Sequence, residues 1–177
     1  MNGSEGVLDA AQTFTVGVNG TLEQVDVMVQ NKNANQPLTM RILGTTPDRI
    51  PDSTQVLSTM SLPSSLIPTL NSTFRSFVFP QSQWLPVQQG EVLAIELSVD
   101  TLSTGVYTWW GSETATYTGG GAYQDINNRN LWQLDFSSYA DQSGFRTWVD
   151  TPEPSMIAPI VAAGLLFRRS PKNRPAD

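Results

Sequence analysis

Nowhere in the body of this chain do apolar residues recur at helical spacing for three turns; short runs instead alternate apolar and polar residues and stop at Gly, Pro, Asn or Asp. A period of two sends successive side chains to opposite faces of a strand, so such runs bury one face only when paired into a sheet and packed against a second layer. Phe14 and Val16 alternate with Thr13 and Thr15, and after the turn signal Val18-Asn19-Gly20, Val25, Val27 and Val29 alternate with Gln24, Asp26 and Gln30. A polar loop from Asn31 to Gln36 precedes Leu38, Met40 and Ile42, and the breaks Thr46-Pro47-Asp48 and Ile50-Pro51-Asp52 precede a strand around Gln55 to Met60. Ser61 to Ser72 reads as a long connection, Phe74 to Phe79 as a strand buried on both faces, and Gln81 to Gly90 as a further loop. Glu91 to Val99, with Leu93, Ile95, Leu97 and Val99 on one face, is the clearest strand. Val106 to Trp110, Leu131 to Phe136 and Phe145 to Val149 bring the expected number to about nine. Nine short strands with proline-rich crossovers predict an all-β, two-sheet antiparallel sandwich of jelly-roll or Greek-key type.

The chain divides into a domain at 1–150, a proline-rich linker at 151–155, and a hydrophobic segment with a basic tail at 156–177. About 150 residues suffice for one domain with a proper core. The net charge is −6, and fifteen of the sixteen acids precede the basic tail against only six bases there. So acidic a body, with one lysine and no basic stripe, repels phosphates, and nucleic acid is excluded as an expected partner. The chain has no cysteine, and hence neither disulfides nor thiolate metal sites.

Pro152 and Pro154 remove two backbone donors and bias Thr151 and Glu153 away from helix, so the domain is expected to end in an extended break. Behind it lie the uncharged run Met156 to Phe167 and then Arg168, Arg169, Lys172 and Arg174, placed as a cytoplasmic, positive-inside flank is. The run is 12 residues with Pro159 inside it; as helix it spans about 18 Å against about 30 Å of hydrocarbon, so insertion is expected to be marginal. The alternative is an apolar segment packed onto the domain. This order of Pro-Glu-Pro, apolar run and basic end resembles the PEP-CTERM sorting signal of bacterial exported proteins. The resemblance implies that Pro152, Glu153 and Pro154 are recognised by an exosortase-type transpeptidase, that the tail anchors the chain transiently in the membrane, and that the remainder reaches the cell surface or extracellular matrix. Met1 to Glu5 has neither a basic n-region nor an apolar h-region, so no secretory signal peptide is expected there; the alternatives are a start truncated ahead of Met1 or a chain that is not exported.

A second resemblance covers most of the body. The succession Ala11 to Val16, Gly90 to Leu93, Tyr107 to Trp109, Tyr117 to Tyr123 and Phe145 to Thr147 is similar to β-sandwich domains of PEP-CTERM and related surface-anchored bacterial proteins. It implies a fold and a location, not an activity.

There is no histidine, so Ser-His-Asp and Cys-His catalysis and His-ligated zinc are excluded. Glu91 with Glu96, or Glu113 with Asp125, are the carboxylate pairs from which a glycosidase could be built, but their spacing is equally that of surface acids. No catalytic residue is assigned, and the chain is read as a non-enzyme. Asp125 to Asn130 offers hard oxygens without the EF-hand glycine; no cofactor is expected there beyond a structural calcium, and the ordinary reading is an Asx-turn loop. Gly119-Gly120-Gly121 lacks the Lys and helix of a phosphate cradle and reads as a flexible hairpin connection. Arg146 is expected to pair with Asp141 or Asp150, unless it meets a ligand carboxylate.

The expected activity is therefore carbohydrate binding or adhesion, with a purely structural matrix role as the alternative. Sugars stack their C–H faces on aromatic rings. Side chains alternate from Val106 to Trp110; if Val106 marks the core face, Tyr107 and Trp109 form an outward pair about 7 Å apart, over which Tyr117 and Tyr123 could close. With the opposite parity Trp109 is a core tryptophan. Trp132 shares its parity with Leu134 and Phe136 and is assigned to the core.

Overall fold

The computed structural model describes residues 10–99, 103–112, 117–125, 131–134 and 142–152. Within them the chain forms thirteen strands and two single-turn 3₁₀ helices, at Ser64–Leu66 and Gln81–Gln83. In order the strands are β1 (Ala10–Thr15), β2 (Gly20–Lys32), β3 (Leu38–Thr45), β4 (Pro51–Leu62), β5 (Thr73–Val78), β6 (Leu85–Val87), β7 (Val92–Val99), β8 (Val106–Trp109), β9 (Gly111–Ser112), β10 (Ala122–Asp125), β11 (Trp132–Leu134), β12 (Gln142–Ser143) and β13 (Phe145–Asp150). The strands additional to the expected nine, β6, β9, β10 and β12, are two to four residues long, too short to display an alternation.

A six-stranded sheet has the order β11-β10-β1-β7-β3-β4, and a five-stranded sheet is built around β2; all strand pairs are antiparallel. β2 runs for 13 residues, well beyond Val25 to Val29, and is long enough to carry two shorter strands on each edge. β5 and β6 share one edge; β8, opposite Val29 to Lys32, and β13, opposite Thr21 to Val27, share the other. The two strands on the second edge meet at Met28, where Trp110 N–H donates to the Met28 carbonyl, Met28 N–H to that of Gly144, and Gly144 N–H to that of Trp110. The chain between them departs as the β9–β12 ribbon and supplies β10 and β11 to the other sheet.

Both sheets share one apolar core. Phe14, Leu38, Met40, Ile42, Leu93, Ile95 and Leu97 face Leu22, Val25, Val27, Val29, Phe77, Tyr107 and Trp109. The architecture is thus an all-β sandwich. On one side the gap between the sheets is closed by Phe145, whose ring centroid lies 5.7 Å from that of Phe14 and 5.7 Å from that of Tyr117. On the other, the Gln83 backbone carbonyl and side-chain oxygen accept from Ser58 Oγ and Thr59 N–H of β4.

Two expectations about burial are reversed. β5 is buried on one face only, with Phe77 inside and Ser76 and Val78 exposed, because its outward residues belong to a solvent-facing side of the five-stranded sheet. β7 is buried on both, since Ala94, Glu96 and Ser98 are as enclosed as Leu93, Ile95 and Leu97. β7 lies centrally between β1 and β3, and its outer side is bridged: Tyr123 Oη donates to the Arg49 carbonyl at 3.5 Å, and Trp132 Nε1 to Ser53 Oγ at 3.0 Å. Arg49 itself sits in the left-handed region at φ 63°, inside a turn closed by hydrogen bonds between Thr46 and Ile50. The run Gly119-Gly120-Gly121 is packed rather than free: a Cβ on Gly120 would collide with the Thr13 carbonyl, and Gly121 exchanges hydrogen bonds with Thr13. A close backbone approach of this kind is what glycine allows.

Candidate functional site

The outward residues of the five-stranded sheet align in rows across three strands. Trp148, Gln24 and Val78 form one row, and Arg146, Asp26 and Ser76 the next. Directly opposite residues of an antiparallel pair share a face, so each row is one continuous strip of side chains. Phe74 lies opposite Met28 in the third row, and the Arg146 guanidinium stacks over its ring at 4.0 Å from the centroid.

Trp148 is 54% exposed, yet its orientation is fixed from below. Its indole Nε1–H donates to Asp26 Oδ2 at 3.0 Å, while Gln24 Nε2 donates to Asp26 Oδ1 at 2.7 Å. Asp26 is itself buried beneath its neighbours. Burial works to raise its pKa, but hydrogen bonds from Trp148, Ser76 and Gln24 and the positive charge of Arg146 outweigh that effect and hold the carboxyl below the ordinary Asp value. The anion thus ties the indole edge at Nε1 while more than half of the residue stays exposed to solvent. An aromatic surface held in one geometry loses little conformational freedom when a ligand settles on it.

The four aromatic residues selected from sequence do not come together as a platform. Tyr107 and Trp109 point into the core rather than outward, since β8 pairs with β2 so that Trp109 opposes Val29 and Tyr107 opposes Asn31, on the face already chosen by Val25 and Val27. Val106 therefore does not mark the core face. Tyr107 Oη donates to the Gln36 carbonyl and Trp109 Nε1 to the Gly144 carbonyl, which satisfies both polar tips inside the sandwich. Burial raises the Tyr107 pKa, only partly opposed by a hydrogen bond with Ser64. Tyr117 is half-buried at the closing side of the sandwich, where its hydroxyl accepts from Thr15 N–H at 2.9 Å. Tyr123 lies on the outer side of the six-stranded sheet, with its pKa raised by burial. Trp132 is half-buried on that same side rather than in the core, Leu134 is exposed, and Phe136 lies outside the described residues.

Of the candidate carboxylates, Glu96 is buried and ion-paired with Arg41 at 3.3 Å, and Glu91 accepts from Gln88 N–H. Asp125 accepts from Leu131 N–H; Glu113 and residues 126–130 of the proposed calcium loop lie outside the described residues. Among the described residues no group of three potential metal ligands is found, and no helix is long and apolar enough to cross a membrane. Pro152 is exposed beyond β13, whereas Glu153, Pro154 and the segment 156–177 fall outside the described residues. Arg146 does not make the expected pair with Asp150; it lies on Phe74 beside Asp26, and Asp141 is outside the described set.

Trp148 was missed, although a signal for it is present. Phe145, Thr147 and Val149 alternate with Arg146, Trp148 and Asp150, and a tryptophan in phase with two charges is an outward tryptophan. Compared with family models, characterised proteins and solved structures, the chain matches none.

Proposed function

We propose that this protein is a non-catalytic carbohydrate-binding or adhesion module, exported and sorted to the cell surface or extracellular matrix. The observation that carries the binding role is Trp148: an indole more than half exposed, yet anchored by hydrogen bond to a buried carboxylate, in a row with Gln24 and Val78. A sugar's apolar face stacks best on a ring already held in place, and the hydrogen bond to Asp26 holds this one. Gln24, opposite Trp148 in the same row, and Ser76 in the next row supply donors and acceptors for hydroxyl groups. The chain's repeated passage between sheets, at β1 to β2, β2 to β3, β4 to β5, β6 to β7 and β7 to β8, supports a jelly-roll path.

The sorting role rests on Pro152-Glu153-Pro154, the apolar run and the basic end. We propose an exosortase-type transpeptidase as the partner of that tail, with the membrane as a transient anchor.

Trp148→Ala tests the platform. In affinity electrophoresis through gels containing a β-glucan, a xylan or a polyuronate, the wild-type protein is expected to be retarded by at least one, and the variant by none while melting as the wild type does. Wild-type mobility unchanged in all three would overturn the reading. For the tail, expression behind an export leader in an exosortase-bearing host is expected to yield a product lacking residues 156–177, and a full-length soluble product would remove the sorting role.

A further inference from the structure

We infer that the Trp148 surface selects an acidic polysaccharide, with the carboxylate of a uronate residue held by Arg146 while a sugar ring lies on the indole. This rests on the carbohydrate-binding reading and adds the ligand's chemical class. Arg146 is exposed, and its guanidinium carbon lies over the Phe74 ring, 4.0 Å from the centroid. Stacking occupies the face of the guanidinium and leaves its N–H edge for other partners. Within the described residues that edge is unused. Among the described residues the ion pair found is Arg41 with Glu96, in the other sheet, and no hydrogen bond from Arg146 occurs.

The acid opposite Arg146, Asp26, makes no hydrogen bond to it. Asp26 spends Oδ1 on Gln24 and Oδ2 on Trp148, and it influences Arg146 through charge rather than contact. The result is a planar fork with donors only, on an exposed side chain seated over an aromatic ring. Carboxylate matches that geometry with two parallel N–H···O bonds, whereas a hydroxyl uses one donor direction at a time. Arg146 and Trp148 are two positions apart on one face, about 6.8 Å by strand rise, so a hexuronate stacked on the indole brings its carboxylate to the guanidinium edge. At the other end of the strand Asp150 is exposed opposite Thr21, and its charge opposes an anion bound in the reverse orientation. The two ends of the platform thus differ in sign.

The test compares polygalacturonate with the same polymer fully methyl-esterified, which keeps the sugar faces and removes the charge. At an ionic strength of about 0.15 M the Debye length is about 8 Å, so repulsion from remote acids of this net-negative protein is largely screened and the local contact is read. Wild-type protein is expected to bind the free acid about tenfold more tightly than the ester, which Arg146→Gln should reduce to no preference and Arg146→Lys to a weakened one. Trp148→Ala should abolish binding to both polymers. Equal affinity for acid and ester, or an unchanged preference in Arg146→Gln, would overturn the uronate assignment. Retention by neutral β-glucan alone, lost in Trp148→Ala, would overturn it while leaving the platform standing. Failure to bind any of these polymers would remove both.

Discussion

β8 and β13 lie end to end on the same edge of β2, and each contributes a tryptophan, but with opposite fates. Trp109 opposes Val29 and is buried with its indole N–H on the Gly144 carbonyl; Trp148 opposes Gln24 and is exposed with its N–H on Asp26. Local sequence marks only one of them, since Trp148 is in phase with Arg146 and Asp150 whereas Trp109 is in phase with Tyr107 and has no charge beside it. The register against β2 separates the two. Odd-numbered residues of β2 from Val25 to Val29 face the core and even-numbered ones face out, so a strand that aligns its tryptophan with 29 buries it and one that aligns with 24 displays it. One edge of a single strand thereby contributes both to the core wall and to the solvent-facing side of the sheet.

The comparison is broken most severely at Trp109. Trp109→Ala should cost about 3 to 5 kcal/mol, through lost burial and a cavity between the sheets, and lower the melting temperature by roughly 10 °C for a domain of this size. A variant melting within two degrees of wild type would show that this end of the sandwich contributes little to the core. Asp26→Asn is next. Losing charge-assisted hydrogen bonds should cost about 1.5 to 3 kcal/mol at neutral pH and free the indole, read as raised acrylamide quenching of tryptophan fluorescence.

The same residue sets a pH dependence whose sign follows from the direction of its shift. Because the folded pKa of Asp26 lies below the ordinary Asp value, its contribution to stability is fully present above the unfolded pKa and is lost as pH falls through the lower folded value. Urea midpoints of wild type and Asp26→Asn are therefore expected to converge in strong acid and stay apart at pH 6; a gap that persists unchanged to pH 2 would contradict this. The smallest effect on stability is expected at Trp148 itself. Trp148→Ala should cost less than Asp26→Asn, since Asp26 keeps Gln24 and Ser76, and cooperative melting is expected to persist in the variant.

Period-two patterning alone determined that the chain is all-β, and it located the central runs, from Phe14 in β1 to Leu93, Ile95 and Leu97 in β7, because alternation is a local property of the backbone. The lack of histidine and cysteine likewise excluded whole classes of catalysis and metal binding without reference to any fold. Alternation separates two faces but does not say which one is inward, and at Val106 to Trp110 that choice went the other way from the valine's preference because pairing with β2 imposed it. Only tertiary structure decided the bridging of β7's outer side by Tyr123, Trp132 and the turn at Arg49, and the burial of Asp26 under Trp148. These arrangements join residues as many as 122 positions apart. They depend on strand order and register, which are set by the packing of both sheets together and leave no signature within any single run of sequence.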